Sequence, residues 1–179
     1  MHGARWNGRG AGSLGHLGSF SFQSSKLVTA GEGGAILTSD PALAERCHSL
    51  VNCGRKMEGY DSFDGWMLGW NYRISEWQAA VLACQTERLE EQTILREQNA
   101  EYLYQALADV PGIRPLRRDA RITRTGNYHV ILRYDPAGFG GLSRDRFADA
   151  LTAEGIEVDP YFYIPLYQSP LFTVTAKDY

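Results

Sequence analysis

Apolar and small polar residues alternate from Leu17 to Gln23, the period of a half-buried strand. Gly33 to Thr38 repeats the signal after a turn at Gly31, so the two segments are predicted to pair as a hairpin. Asp40-Pro41 opens a helix, with Asp as N-cap and Pro at the first helical position. Leu43, Cys47, Leu50 and Val51 then recur at helical spacing, and Gly54 supplies the stop. Met57 to Leu68, rich in Gly, Asp and aromatics, reads as a loop. Ser75 and Gln78 form a capping-box pattern ahead of a long helix from about Glu76 to Ala108, which Pro111-Gly112 ends. Its apolar stripe comprises Val81, Cys84, Ile94, Leu95, Tyr102, Leu103 and Leu107. Globular helices usually run roughly 8–20 residues, so this one suits a link between two domains. Tyr128 to Tyr134 is a strand by its β-branched and aromatic content. Ser143 caps a helix through Glu154, with Phe147, Ala150 and Leu151 inward and Gly155 as its stop. Ile156 to Val158 reads as a short strand, and Pro160 to Pro170 as an aromatic, proline-punctuated loop. The pattern is a β-hairpin region, a spanning helix, then a small αβ unit.

Composition narrows the function classes. With 179 residues, 44% hydrophobic and 22% charged, the chain has the make-up of a soluble globular protein able to bury a core as one or two domains. A net charge of -3 argues against a binder driven by nucleic-acid phosphates. Arg114, Arg117, Arg118, Arg121 and Arg124 read as a solvated face. No stretch reaches the roughly 18 apolar residues of a membrane helix, and no apolar run near Met1 resembles a signal peptide. Cys47, Cys53 and Cys84 are odd in number and outline no disulfide framework, which points to a reducing, cytoplasmic setting. Cys47-His48 and Cys53 fit no zinc spacing, so no metal site is expected and these cysteines read as core residues on a helix. The Gly/Arg-rich opening at Gly8 to Gly18 and the close at Thr175 to Tyr179, with no completed element, suggest a piece of a longer polypeptide.

One lysine stands out. Only Lys26, Lys56 and Lys177 among the 18 basic residues are lysines. Lys26 follows Phe20-Ser21-Phe22-Gln23-Ser24-Ser25 and precedes the turn Gly31-Glu32-Gly33-Gly34. An amine withdrawn from water becomes a nucleophile toward carbonyls, the chemistry of a Schiff-base lysine. The pattern alone leaves two readings open: a lysine on an exposed glycine turn, or such a nucleophile. Ser21, Ser24 and Ser25 offer hydroxyls for a phosphate, and the glycines let backbone approach a ligand. Neither a GxxxxGK[ST] loop nor Ser-x-x-Lys is present, since Gln23 occupies the serine position of the latter. Glu32 could order the turn or tune the lysine. His16 and His129 read as structural histidines, and Trp66, Trp70 and Trp77 as packing or subunit-interface residues.

The run from Gly18 to Lys26, with Thr29-Ala30-Gly31-Glu32-Gly33-Gly34-Ala35, resembles the lysine segment of the DegT/DnrJ/EryC1/StrS aminotransferases. Gly69 to Ala80, containing Asn71-Tyr72-Arg73, is similar to that family's Asn-Tyr-Arg segment, and Tyr161 to Tyr167 resembles its C-terminal substrate loop. The resemblance implies an α/β protein with part of the type I fold of pyridoxal-phosphate transferases. Residues 1–88 would close the large cofactor-binding domain. Residues 89–179, begun by the long linking helix, would form the small C-terminal αβ domain. It also implies pyridoxal 5′-phosphate as cofactor, with Lys26 as its Schiff-base lysine, Ser21 on its phosphate, and Asn71 reaching the phosphate in the neighbouring subunit of a homodimer. The implied reaction moves an amino group from glutamate or glutamine to a keto-sugar or keto-cyclitol. Gln23 and Tyr167 stand where His is frequent, Gln23 as in the subgroup acting on cyclitols and aminobenzoate precursors, and Arg73 matches a recurrent arginine of open role. The family's pyridinium-pairing aspartate, ring-stacking aromatic and phosphate-cradling helix start have no counterpart here, which implies that this stretch does not act alone. The alternative is a non-catalytic ligand-binding or dimerisation module derived from the same fold.

Overall fold

The computed structural model describes residues 1–161 and 163–172. Phe162, in the third resembling segment, and the expected incomplete close at Thr175 to Tyr179 lie outside the described residues. The chain is mixed α/β and forms two compact units, Met1–Ala106 with Leu116–Ile131, and Leu107–Pro115 with Leu132–Tyr179.

In the first unit, β1 (Arg5–Trp6) and β2 (Arg9–Gly10) form a tight hairpin. Asn7 and Gly8 sit at φ 47° and 76° between them, the left-handed pair a two-residue turn demands. The arginine-rich segment 114–124 supplies β6 (Ile122–Arg124), antiparallel to β1. Arg114, Arg117, Arg118 and Arg121 are exposed, as expected of a solvated face, and Arg124 is the exception. The Arg124 side chain is only 13% exposed; it donates to the Gly3 carbonyl at 2.7 Å and pairs with Glu90. Arg121 grips Asp119 and stacks over the Trp6 ring at 4.4 Å, while Arg118 pairs with Glu97 at 3.4 Å. Even in a solvated run, a cation is drawn to a nearby carboxylate or aromatic face.

The Arg124 hydrogen bond holds the Glu90 carboxyl below its ordinary value of 4.5. A depressed folded value means that this stabilisation is complete above the ordinary value and is lost as pH falls through the lowered one. The urea midpoint of the full-length protein is expected to drop in that acid range. Glu90→Gln is expected to flatten the drop, and an unchanged acid limb would remove the pair from the account.

The predicted hairpin forms from β3 (Gly18–Ser21) and β4 (Gly34–Leu37), antiparallel with Phe20 opposite Ala35. Lys26 is not on a strand but in the turn beyond β3, where its N–H donates to the Gln23 carbonyl at 2.9 Å. Next along, α1 (Pro41–Val51) starts at Asp40, whose carboxylate accepts from the N–H groups of Ala42 and Leu43. Past α1, Cys53 and Gly54 take left-handed conformations. Cys47 is half-buried on α1, whereas Cys53 and Cys84 are exposed, so the expectation of core cysteines fails. The His48 ring Nδ1 lies 3.0 Å from the Tyr60 hydroxyl. Among the described residues no His, Cys, Asp and Glu cluster could hold a metal ion.

The long helix is two helices, α2 (Glu76–Glu87) and α3 (Leu89–Ala106), separated at Arg88. Arg88 keeps right-handed angles, but its N–H turns to the Thr86 carbonyl, so the ladder breaks without a Pro or Gly to announce it. The Ser75–Gln78 capping box forms as expected and contributes about 1 kcal/mol. The expected apolar stripe is not the buried one: Val81, Ile94, Leu95 and Tyr102 are exposed, while Thr93 and Ala100 are buried. Small residues face inward because the Gly3 backbone approaches α3, where a Cβ on Gly3 would stand 2.5 Å from Thr93 Oγ1. No helix among the described residues is long and apolar enough to cross a membrane.

In the second unit, β5 (Ile113–Pro115) pairs antiparallel with β7 (Leu132–Tyr134). The strand expected at Tyr128 to Tyr134 is confined to its last three residues, because its partner is three residues long and ends at a proline that has no N–H to donate. Ser143 caps α4 (Arg144–Ala153), and Gly155 follows at φ 85°. Tyr134, Phe139 and Phe147 form an aromatic cluster with centroids 4.8–5.2 Å apart. Ile156 to Val158 form no strand: β-branched residues need an adjacent strand to pair with, and among the described residues none is offered. Within the proline-punctuated loop, Leu166–Gln168 and Pro170–Phe172 wind into 3-10 turns.

Candidate active site

The β3–β4 hairpin carries a closed loop rather than a short turn. The Phe22 N–H donates to the Gly33 carbonyl at 2.8 Å, and the Phe22 carbonyl accepts from Ala30 N–H at 3.0 Å and Thr29 Oγ1 at 3.1 Å. Val28, 1% exposed, plugs the loop into the unit. Two residues before this plug, the Lys26 backbone is fixed while its side chain stays half-buried. The Lys26 ammonium sits 5.3 Å from the centroid of the Tyr128 ring. None of the ion pairs among the described residues involves Lys26.

Gln23 is engaged in shaping this turn. Its Oε1 accepts from Ser25 N–H at 2.9 Å and Ser25 Oγ at 2.7 Å, and its Nε2 donates to Ser24 Oγ at 2.7 Å. The Ser25 hydroxyl proton is thereby spent within the loop, whereas Ser24 Oγ only accepts there. The exposed Ser21 hydroxyl accepts a long contact from Gln23 N–H, 3.3 Å, which leaves its own proton available to a ligand. Gly31 has open space where a Cβ would stand, so a ligand meets no side chain there.

The Asn-Tyr-Arg segment folds against the lysine hairpin. Gln78 Nε2, in the first turn of α2, donates to the Glu32 carbonyl at 2.8 Å, and a Cβ on Gly33 would touch Ile74 Cδ1 at 3.4 Å. Glu32 thus serves the turn through its backbone, and no ion pair joins its carboxylate to Lys26 among the described residues. Asn71 forms a one-residue bridge with Asn52, and its Oδ1 accepts from Arg73 N–H at 3.4 Å. Arg73 donates to Asn52 Oδ1 at 2.7 Å, which gives that arginine a structural task at the end of α1.

Two neighbours of the site were not singled out in the sequence. His2 stacks on Phe20 and Phe22 at 5.0 and 5.8 Å, with Nε2 buried and unpartnered among the described residues. Burial lowers the His2 pKa, reinforced by the N-terminal amine, Lys26 and Arg96, so the ring favours its neutral form. Tyr128 lies 102 positions from Lys26, a separation no local pattern reveals.

The chain matches the DegT/DnrJ/EryC1/StrS aminotransferase family over residues 1–179. It belongs to that family. A family relative from Streptoalloteichus tenebrarius, provisionally named L-glutamine:3-amino-2,3-dideoxy-scyllo-inosose aminotransferase, is 48% identical over 99% of this chain and 43% of its own length. The L-glutamine:2-deoxy-scyllo-inosose aminotransferase of Streptomyces kanamyceticus is 40% identical over 98% of this chain and 43% of its own length. Among solved structures, a DegT DnrJ EryC1 StrS aminotransferase from Brucella abortus superimposes with a TM-score of 0.80 at 28% identity, covering 96% of this chain and 43% of that one. This DegT/DnrJ/EryC1/StrS chain therefore spans about 43% of the length of the relatives it matches.

Proposed function

We propose that this chain carries the lysine segment of a pyridoxal-phosphate-dependent aminotransferase that moves an amino group from glutamine to a keto-cyclitol. The observation carrying this reading is Lys26: a half-buried lysine in none of the ion pairs among the described residues, in the turn between Ser21, whose hydroxyl proton is free, and Gly31, whose Cβ direction is open. The residues fit the cofactor. Lys26 would hold its aldehyde carbon and Ser21 its phosphate, while Asn71 would serve the phosphate of a neighbouring subunit. All three fall within residues 1–88, the stretch expected to close the large domain.

When bound, pyridoxal phosphate supplies the electron sink that makes an α-proton of the amino donor removable. The protein's part is positioning and proton traffic. Lys26 would hold the cofactor, and its Nζ, when free, would be the base that moves the donor's α-proton. The same amine would serve the keto acceptor in the reverse direction, from which ping-pong kinetics would follow.

The acceptor class rests on the relatives, whose names specify glutamine and scyllo-inosose ketones. Gln23 agrees with that choice, being spent on the turn rather than offered to a ligand. Homodimerisation and a cytoplasmic setting complete the proposal. Trp66 and Trp77, 92% and 86% exposed near Asn71 in sequence, supply apolar surface for a second copy. Incubating the full-length protein with cofactor, glutamine and 2-deoxy-scyllo-inosose is expected to yield the aminocyclitol by mass spectrometry. Absence of amination with either glutamine or glutamate would overturn the assignment.

A further inference from the structure

The Lys26 side chain has four rotatable bonds and, among the described residues, no carboxylate to steer it. A nucleophile that wanders forfeits the advantage of a prepositioned attack. Among the described residues its cation–π contact is with the Tyr128 ring, 5.3 Å from Nζ to centroid, a distance at which the ring quadrupole attracts a cation. The ring is anchored at its far end: the Tyr128 hydroxyl donates to Ser25 Oγ at 3.1 Å, and Ser25 Oγ donates to Gln23 Oε1 at 2.7 Å. The Gln23 carbonyl in turn accepts from Lys26 N–H at 2.9 Å. Tyr128 therefore touches the same turn twice, once at the Ser25 hydroxyl and once at the Lys26 amine.

The backbone delivering Tyr128 is held firmly. Asn127 adopts φ 46°, a left-handed conformation that asparagine tolerates better than most residues. Thr125 donates from N and Oγ1 to Glu97 Oε1 at 2.9 and 3.2 Å, and Arg96 Nε donates to the Gly126 carbonyl at 3.2 Å. Gly126 has no room for a Cβ, which would stand 2.4 Å from the His2 carbonyl oxygen. Asn127 Nδ2 donates to the Arg96 carbonyl at 3.4 Å, so the cramped glycine and the left-handed asparagine that precede Tyr128 are both tied to α3.

We propose that Tyr128 is the positioning residue for the Lys26 amine, its ring face setting where Nζ rests and its hydroxyl locking that ring to the Gln23–Ser25 turn. This rests on the reading that Lys26 holds the cofactor, and it adds the residue that keeps the amine in place before the cofactor arrives.

The test uses the full-length protein. In the cofactor-free form, lysines are reductively methylated with 13C-formaldehyde and the Lys26 resonance is assigned with Lys26→Arg. The wild-type resonance is expected upfield of the free-lysine position because of the Tyr128 ring current. Tyr128→Phe is expected to keep most of that displacement, and Tyr128→Ala to abolish it. In separate, unmethylated protein with pyridoxal phosphate added, Tyr128→Ala is expected to slow condensation at Lys26 at least ten-fold by visible absorbance. Tyr128→Phe, which retains the ring, loses a smaller factor, and KM for the amino donor stays within two-fold while kcat falls. A wild-type Lys26 resonance at the free-lysine position, or condensation at the wild-type rate in Tyr128→Ala, overturns the proposal and leaves the cofactor assignment intact. A borohydride-fixed adduct on a lysine other than Lys26 overturns the assignment and the proposal together. Should Tyr128→Ala fold poorly, the wild-type resonance and Tyr128→Phe decide alone.

Discussion

Lys26→Ala in the full-length protein is expected to abolish both half-reactions, with kcat falling by about 10²–10⁴-fold or more, the range of a lost general acid–base group. Stopped-flow absorbance with glutamine alone, and then with the keto-cyclitol alone, separates the two halves. Loss in both follows from one amine serving both directions of proton transfer. The variant should fold. Lys26 is half-buried, sits in a turn held by other residues, and takes part in none of the ion pairs among the described residues. The expected stability change is therefore within about 0.5 kcal/mol, as for an ordinary surface substitution. Substantial turnover in the variant would remove Lys26 from the chemistry.

The largest expected stability effect lies at Gly54. Its φ is 75°, and a Cβ there would stand 1.8 Å from the Met67 carbonyl oxygen. The left-handed conformation alone costs an alanine roughly 1–2 kcal/mol. The clash adds to this, because a backbone carbonyl cannot rotate aside as a side-chain tip can. Gly54→Ala is expected to cost about 3 kcal/mol or more in urea denaturation, the upper part of the usual range for single substitutions. Gly59 provides the control: its φ is 81° but nothing lies within 4 Å of its Cβ direction, so Gly59→Ala carries the conformational cost alone. The effect reaches the site. Trp70 and Tyr72 hold the Asn71 segment to the end of α1 through bonds to Leu50, Val51 and Cys53 of 2.9–3.1 Å. Equal losses in the two variants would show that Gly54 matters only for its dihedral angle.

Much of this arrangement was legible where the cause is local. Asp40-Pro41, the Ser75–Gln78 capping box and Ser143 each start a helix through hydrogen bonds made within four residues, and all three starts are present. The β3–β4 hairpin was legible for the same reason, since alternation and the Gly31 turn sit side by side. The β1–β2 hairpin escaped notice although Asn7-Gly8 is a strong turn signal, because Arg and Gly rather than alternating apolar residues flank it. Strand β6 and the Arg124 contacts depend on partners far along the chain, Glu90 34 residues away and Gly3 121 residues away. Ser21 ends β3 and Lys26 follows five residues on in the next turn, so their nearness in the chain was legible in the sequence. Tyr128 reaches that loop only through the fold, by way of a strained asparagine tied to α3.

The most direct measurement is borohydride reduction of the full-length protein loaded with pyridoxal phosphate, followed by peptide mass spectrometry. The account predicts a phosphopyridoxyl group on the peptide containing Lys26 and none on the peptide containing Lys56. An unmodified Lys26 peptide from protein that carries the cofactor elsewhere would contradict it.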